Sequence, residues 1–155
     1  MKEFSLSNAV CRALVISCSD FRFVSAQRQA RLDLGLENAY DLLARPGGVR
    51  QLVQPLSEAG RETIYEEIAL LHRLHGFDRI LLMNHMTCGA YADVWDSGRE
   101  AEVHKEHLLR AKEILQGRYP GMSVEPYLSV IIDDSAVVTA VDDHARALLE
   151  AATGE

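Results

Sequence analysis

Apolar residues along this chain fall into short unbroken runs, and the stretches between them carry their apolar positions at helical spacing. Residues 13–17 (ALVIS) form a continuous apolar run, the pattern of a strand covered on both faces of a parallel sheet. Residues 39–44, 80–83 and 128–132 repeat it, so four strands are predicted. Helices are predicted over 24–34, over 62–75 and over 101–115; in the second, Ile64, Ile68 and Leu71 share a face and Gly76 is placed to end it. A last amphipathic stretch opens at Thr139-Ala-Val-Asp142, with Val141, Ala145, Leu148 and Leu149 on one face, and reads as a terminal helix. Arg45-Pro-Gly-Gly48 and residues 117–126 read as loops. Strand alternating with helix implies an α/β fold: a three-layer domain with a central, mainly parallel sheet of four to five strands flanked by helices. No repeat or linker divides the chain, so residues 1–155 are expected to form a single domain.

Composition narrows the partners. Sixteen Lys and Arg against twenty-three Asp and Glu give a net charge of -7, which argues against nucleic acid or an anionic membrane as a partner. A small uncharged or anionic substrate remains open, because a bound cation overrides the global sign locally. Three cysteines, Cys11, Cys18 and Cys88, form an odd and unevenly spaced set that suits metal or redox use better than a disulfide framework. The first eight residues lack the apolar core of a signal peptide, and no apolar run is long enough to span a bilayer. The expected location is therefore cytoplasmic.

The chemistry concentrates at the ends of two predicted strands. Cys18-Ser-Asp20-Phe-Arg22 closes the first, and His85-Met-Thr-Cys88-Gly89 follows the third. In open α/β sheets ligands bind beyond the carboxyl ends of the strands, where the strand order reverses. If the two strands are neighbours, Cys18, His85 and Cys88 converge into two thiolates and one imidazole. That donor set favours zinc over magnesium, calcium or manganese and leaves a fourth position free. Asp20 beside Arg22 is a carboxylate held ionised, able to accept a hydrogen bond from a water on the metal or to move onto the metal when Arg22 releases it. Each residue alone has an ordinary reading, as a buried small hydrophobe, a packed histidine or a surface ion pair. Their coincidence at two strand ends carries the argument.

Cys-x-Asp-x-Arg, a glycine-containing loop and His-x-x-Cys-Gly together resemble the β-class carbonic anhydrases, over roughly residues 14–132. The resemblance implies Cys18, His85 and Cys88 as zinc ligands and Asp20 and Arg22 as the catalytic pair. It implies a zinc lyase that hydrates carbon dioxide to bicarbonate by metal-bound hydroxide, and a homodimer. Gly47, Gly48 and Gly89 are expected to line the substrate pocket or support it from behind. The chain departs from the family in its short lead before the first strand, in Pro46 and Gly48 of the loop, in Asn84 ahead of His85 and in the terminal helix. Two other readings stay open: a hydrolase for carbonyl sulfide or carbon disulfide, and a zinc-stabilised binding module without turnover.

Other residues are expected to serve the fold. His104 and His107, three apart on a predicted helix, read as packing at its apolar boundary, and His72 and His75 sit where a helix C-terminus favours them. Tyr91 and Trp95 read as the edge of a core and Cys11 as buried. A thiol phosphatase is disfavoured, because Asp20 would repel a phosphate beside Cys18.

Overall fold

The computed structural model describes residues 1, 3, 5–7, 9–96 and 98–142. Its elements are β1 (Ala13–Ser17), α1 (Val24–Asp33), β2 (Tyr40–Ala44), α2 (Arg50–Val53), α3 (Glu58–His75), β3 (Arg79–His85), α4 (Glu100–Arg118), β4 (Ser123–Ile132) and β5 (Ser135–Ala140). Short 3-10 turns at Phe21–Phe23 and Gly89–Tyr91 follow β1 and β3. Among the described residues the strands lie in the order β2-β1-β3-β4-β5, and β5 runs antiparallel to the others.

The chain leaves β1 for β2 on one side and then lays β3 on the other. The strand order therefore reverses between β1 and β3, which makes the cleft above their carboxyl ends the natural ligand position. Alternation along the strands builds two cores. Leu14, Ile16, Ile80 and Leu82 pack with Val49, Leu52, Ile64, Ile68, Leu108, Ala111 and Leu115 on the face covered by α2, α3 and α4. Ala13, Val15, Leu81 and Met83 face the other way, toward Ala30, Leu34 and Leu36 at α1. Both sides of β1 are thus buried, which is why its sequence reads as a run rather than an alternation.

The helix signals have local causes. The Ser57 side chain accepts the Gly60 N–H at 3.1 Å and starts α3, and Gly76 ends it in the left-handed region at φ 67°. The helix begins at Glu58, a turn earlier than its apolar periodicity announces.

Two expectations are corrected at the far edge. Residues 123–126, read as loop, belong to β4, and 117–118 close α4. Pro126 is tolerated because its nitrogen points past the end of β5: the β5 pairing starts at Tyr127, and the Pro126 carbonyl accepts the Val141 N–H at 2.8 Å. Thr139 and Ala140, read as the opening of a terminal helix, lie in β5 instead, and the remainder of that stretch from residue 143 lies outside the described residues. Asp133 and Asp134 both take positive φ, 46° and 62°, in a two-residue turn that folds β5 back on β4. That backbone is usually signalled by Asn-Gly or Asp-Gly, so an Asp-Asp pair hides it.

Candidate metal centre

The ladder between β1 and β3 pairs Ser17 with Met83, and the Cys18 N–H still donates to the Met83 carbonyl at 3.3 Å. The backbone under the first thiol is therefore held by the sheet. His85 ends β3, and its ring stacks on Phe23 at 4.2 Å with 27° between planes, which sets its orientation. Beyond it the Met86 N–H donates to the Ser129 carbonyl at 2.9 Å, and Thr87 turns the chain with φ at 57°. Cys88 follows, and its Sγ lies 3.8 Å from that of Cys18.

The donor atoms of Cys18, His85 and Cys88 all lie within 4.8 Å of one another, and all three residues are buried. His85 Nδ1 stands 2.7 Å from the Met86 carbonyl, a contact only an N–H can satisfy, so the lone pair falls on Nε2. That Nε2 atom is buried and has no hydrogen-bond partner among the described residues. A buried acceptor without a partner is costly unless something occupies the space before it. Two thiolates on one tetrahedral zinc, each at about 2.3 Å, stand about 3.8 Å apart. The residues therefore fit a metal ion, and Cys18, His85 and Cys88 are positioned to bind one. Without metal the two sulfurs titrate as a pair: the hydrogen bond from Cys88 draws the Cys18 thiol far below its ordinary value, and the same contact pushes Cys88 up.

Asp20 has two tasks at once. Its Oδ1 accepts the Arg22 N–H at 3.0 Å and caps the 3-10 turn, while Arg22 Nε donates to Oδ1 at 3.0 Å and Nη2 to Oδ2 at 2.7 Å. These hydrogen bonds from Arg22 hold the carboxyl down at about 2. Arg22 Nη2 also donates to the Thr87 carbonyl at 2.9 Å, joining the segment after β1 to the segment after β3. Asp20 Oδ2 is 3.8 Å from His85 Nε2. The carboxylate thus lies beside the ligand cluster while bound to Arg22.

The loop after β2 closes the cluster from below. Gly48 has φ at 51°, and a Cβ there would stand 2.6 Å from Asn84 Oδ1 and 3.1 Å from the Cys18 nitrogen. Only glycine fits so close to the Cys18 backbone. Gly47 shares the left-handed conformation at φ 79°, whereas Gly89, at the start of the turn after Cys88, has open space around it. Asn84 points to the opposite face from His85. Its Oδ1 accepts the Val49 N–H at 3.2 Å, and its Nδ2 donates to Tyr91 Oη at 3.0 Å and lies 3.2 Å from His104 Nδ1. The departure at position 84 is therefore a buried amide that ties the loop to α4.

Several residues expected only to pack the core enter this network. His104 is fully buried, and burial, with His85 and His107 nearby, pushes its pKa down to about 3, so it is neutral. Tyr91 Oη meets His107 Nδ1 at 3.1 Å, and Trp95 stacks on the Tyr91 ring at 5.7 Å. Arg50, buried, grips Asp93 at 2.7 and 3.0 Å and donates to the Ala90 carbonyl, which holds the turn after Cys88. Glu100 accepts the Thr87 N–H at the tip of the turn. Phe23, Arg50 and Glu100 carry no motif in the sequence, and Thr87 occupies an unspecified position of His-x-x-Cys. Arg50 and Phe23 had one weak signal each, a lone cation inside an apolar stretch and an aromatic beside the Asp-Arg pair. Cys11, read as buried, is half-buried and lies away from this centre.

No family model matches the chain. An uncharacterized protein of Rickettsia bellii (strain RML369-C) is 32% identical over 121 residues, spanning 74% of this chain and 74% of that protein. An uncharacterized protein of Rickettsia conorii (strain ATCC VR-613 / Malish 7) is 29% identical over 121 residues, and the chain spans 65% of its length. Among solved structures, the carbonic anhydrase of Streptococcus mutans is similar with a TM-score of 0.57 at 13% identity, over 90% of this chain and 88% of that one. The β-carbonic anhydrase isoform I of Trichomonas vaginalis is similar with a TM-score of 0.56 at 16% identity, over 90% and 87%. At such identities the likeness establishes the fold.

Proposed function

We propose that this chain, which belongs to one family with the Rickettsia bellii protein, is a zinc enzyme that hydrates carbon dioxide to bicarbonate. The observation that carries the reading is His85 Nε2, without a hydrogen-bond partner among the described residues, buried beside two sulfurs and 3.8 Å from an Asp20 carboxylate that Arg22 holds in place. The fold shared with carbonic anhydrases supports it.

Cys18, His85 and Cys88 would hold the zinc. Bound there, the metal supplies Lewis acidity that brings the pKa of a coordinated water to about 7. Asp20, ionised throughout the physiological range, would accept a hydrogen bond from the reacting water and so orient it. Arg22 restrains Asp20 through side-chain hydrogen bonds to both of its oxygens and so keeps the carboxylate beside the ligands rather than among them. Phe23, stacked on His85, and the Gly47-Gly48 loop against Cys18 keep the ligand backbone from shifting. The balance is one carbon dioxide and one water to one bicarbonate and one proton, and the proton leaves to solvent or buffer. We read the whole chain as one unit built around this centre, acting on a small molecule and not on nucleic acid, in keeping with its acidic charge. Among the described residues no helix is long and apolar enough to cross a membrane.

Stopped-flow hydration of carbon dioxide by the zinc-loaded chain tests the reading. Wild type should turn over, and Asp20→Ala should lose on the order of a hundredfold in rate with zinc still bound. Equal inactivity of both proteins, each carrying zinc, would favour a binding module instead.

A further inference from the structure

We propose a second metal site at the other end of the strands, in which Cys11, Asp41 and His75 hold a divalent ion of zinc type. The three residues come from separate parts of the chain: the lead into β1, the edge strand β2 and the last residue of α3. Their donor atoms all lie within 4.8 Å of one another. Asp41 pairs with Leu14 near the start of β1, whereas the Cys18 centre lies beyond Ser17 at the opposite end. The two clusters share no residue.

A salt bridge accounts for only part of the arrangement. His75 Nδ1 meets Asp41 Oδ2 at 2.6 Å, as an ordinary ion pair would. That pair needs no thiol, yet Cys11 Sγ stands within reach of both, 3.3 Å from the Ala13 carbonyl. Thiolate, imidazole and carboxylate make a mixed set that suits zinc and disfavours magnesium and calcium, which take oxygen donors. Two donors on one zinc stand about 3.3 Å apart, so the Asp41–His75 contact must open by less than about 1 Å. The His75 side chain is half-exposed at the end of α3, so it borders solvent. In the metal-free chain, burial and the Asp41 carboxylate raise the Cys11 thiol above its ordinary value, so metal uptake must displace its proton. An ion held here would pin the lead into β1 and the edge strand β2 to the end of α3.

The test is zinc stoichiometry of the untagged full chain, stripped with chelator and dialysed against zinc. The expected content is two equivalents for wild type and one for Cys11→Ser, for His75→Ala and for Cys88→Ser. Asp41→Asn should weaken the second equivalent on the order of a hundredfold, at least as much as loss of a residue that merely supports a ligand. With cobalt in place of zinc, the thiolate charge-transfer absorbance should fall in Cys11→Ser without vanishing. His75 is half-exposed, so its replacement should leave the fold intact, which circular dichroism can verify. Wild type binding one equivalent with Cys88→Ser binding none would overturn the second site and leave the Cys18 centre standing. Retention of two equivalents by both His75→Ala and Cys11→Ser would also overturn it. One equivalent in wild type, kept in Cys88→Ser but lost in Cys11→Ser, would support the second site while removing the first.

Discussion

The sulfurs of Cys18 and Cys88 lie 3.8 Å apart although one residue leaves β1 and the other follows a turn beyond β3. Their separation matches that of two thiolates sharing a tetrahedral ion, and His85 Nε2, without a hydrogen-bond partner among the described residues, is positioned as a third donor.

Cys88→Ser should remove the zinc equivalent held by Cys18, His85 and Cys88, because a neutral hydroxyl does not replace a thiolate. Elemental analysis after gel filtration measures the loss. A thermal midpoint that responds less to added chelator than that of wild type is the accompanying result.

Arg22→Gln should remove the guanidinium hydrogen bonds to both Asp20 oxygens, together with the bond by which Arg22 itself reaches the Thr87 carbonyl. Asp20, already 3.8 Å from His85 Nε2, is then free to enter the ligand set. The expected outcome is full metal content, a changed spectrum of the cobalt-substituted protein and hydration slowed on the order of tenfold or more. An unchanged spectrum with unchanged rate would show that Arg22 does not hold the carboxylate.

Gly48→Ala should destabilise the chain by about 2 kcal/mol or more, since the new methyl meets Asn84 Oδ1 at 2.6 Å and the Cys18 nitrogen at 3.1 Å on a backbone with φ at 51°. Both contacts are on the wall behind the metal ligands, so zinc affinity should fall with stability. Urea titration and zinc competition with a chelator measure the two effects. Gly89→Ala, whose new methyl would meet no atom within 4 Å, serves as the tolerant comparison.

Glu125 should make part of the stability depend on pH. Arg79 donates to its two oxygens at 2.9 and 3.0 Å, and these hydrogen bonds hold the carboxyl below its usual range. The folded pKa is lower than the unfolded one, so the contribution is fully present above the unfolded value of about 4.5 and is lost as pH falls through the folded value. Wild type should exceed Glu125→Gln by up to about 1 kcal/mol at pH 7, the modest size reflecting partial exposure of the pair. Urea titrations at pH 7 and at successively lower pH should show the difference present above about 4.5 and shrinking as the pH falls below it.

Much of the architecture was legible in the residue order. The run at 13–17 marks β1 to the residue, because a strand buried on both faces has to be apolar throughout. The end of α3 at Gly76 was equally plain, since a left-handed helix end favours glycine. The β4–β5 hairpin was not legible. Pro126 masks the first half of β4, and Asp133-Asp134 takes a turn that the sequence signals poorly.

At the site the division is similar. Cys18, His85, Cys88, Asp20 and Arg22 were readable by residue type and spacing, because metal ligation and a carboxylate–guanidinium pair demand particular functional groups at strand ends. Their convergence belonged to the tertiary structure. It depends on β3 pairing with β1 rather than elsewhere, which the balance of packing on two sheet faces decides. So does the placement of Asp20 on Arg22, of Asn84 between the Gly48 loop and His104, and of Cys11 beside Asp41 and His75. Each joins residues whose spacing in the folded chain is set by the sheet, and no local pattern encodes a distance that only the folded sheet defines.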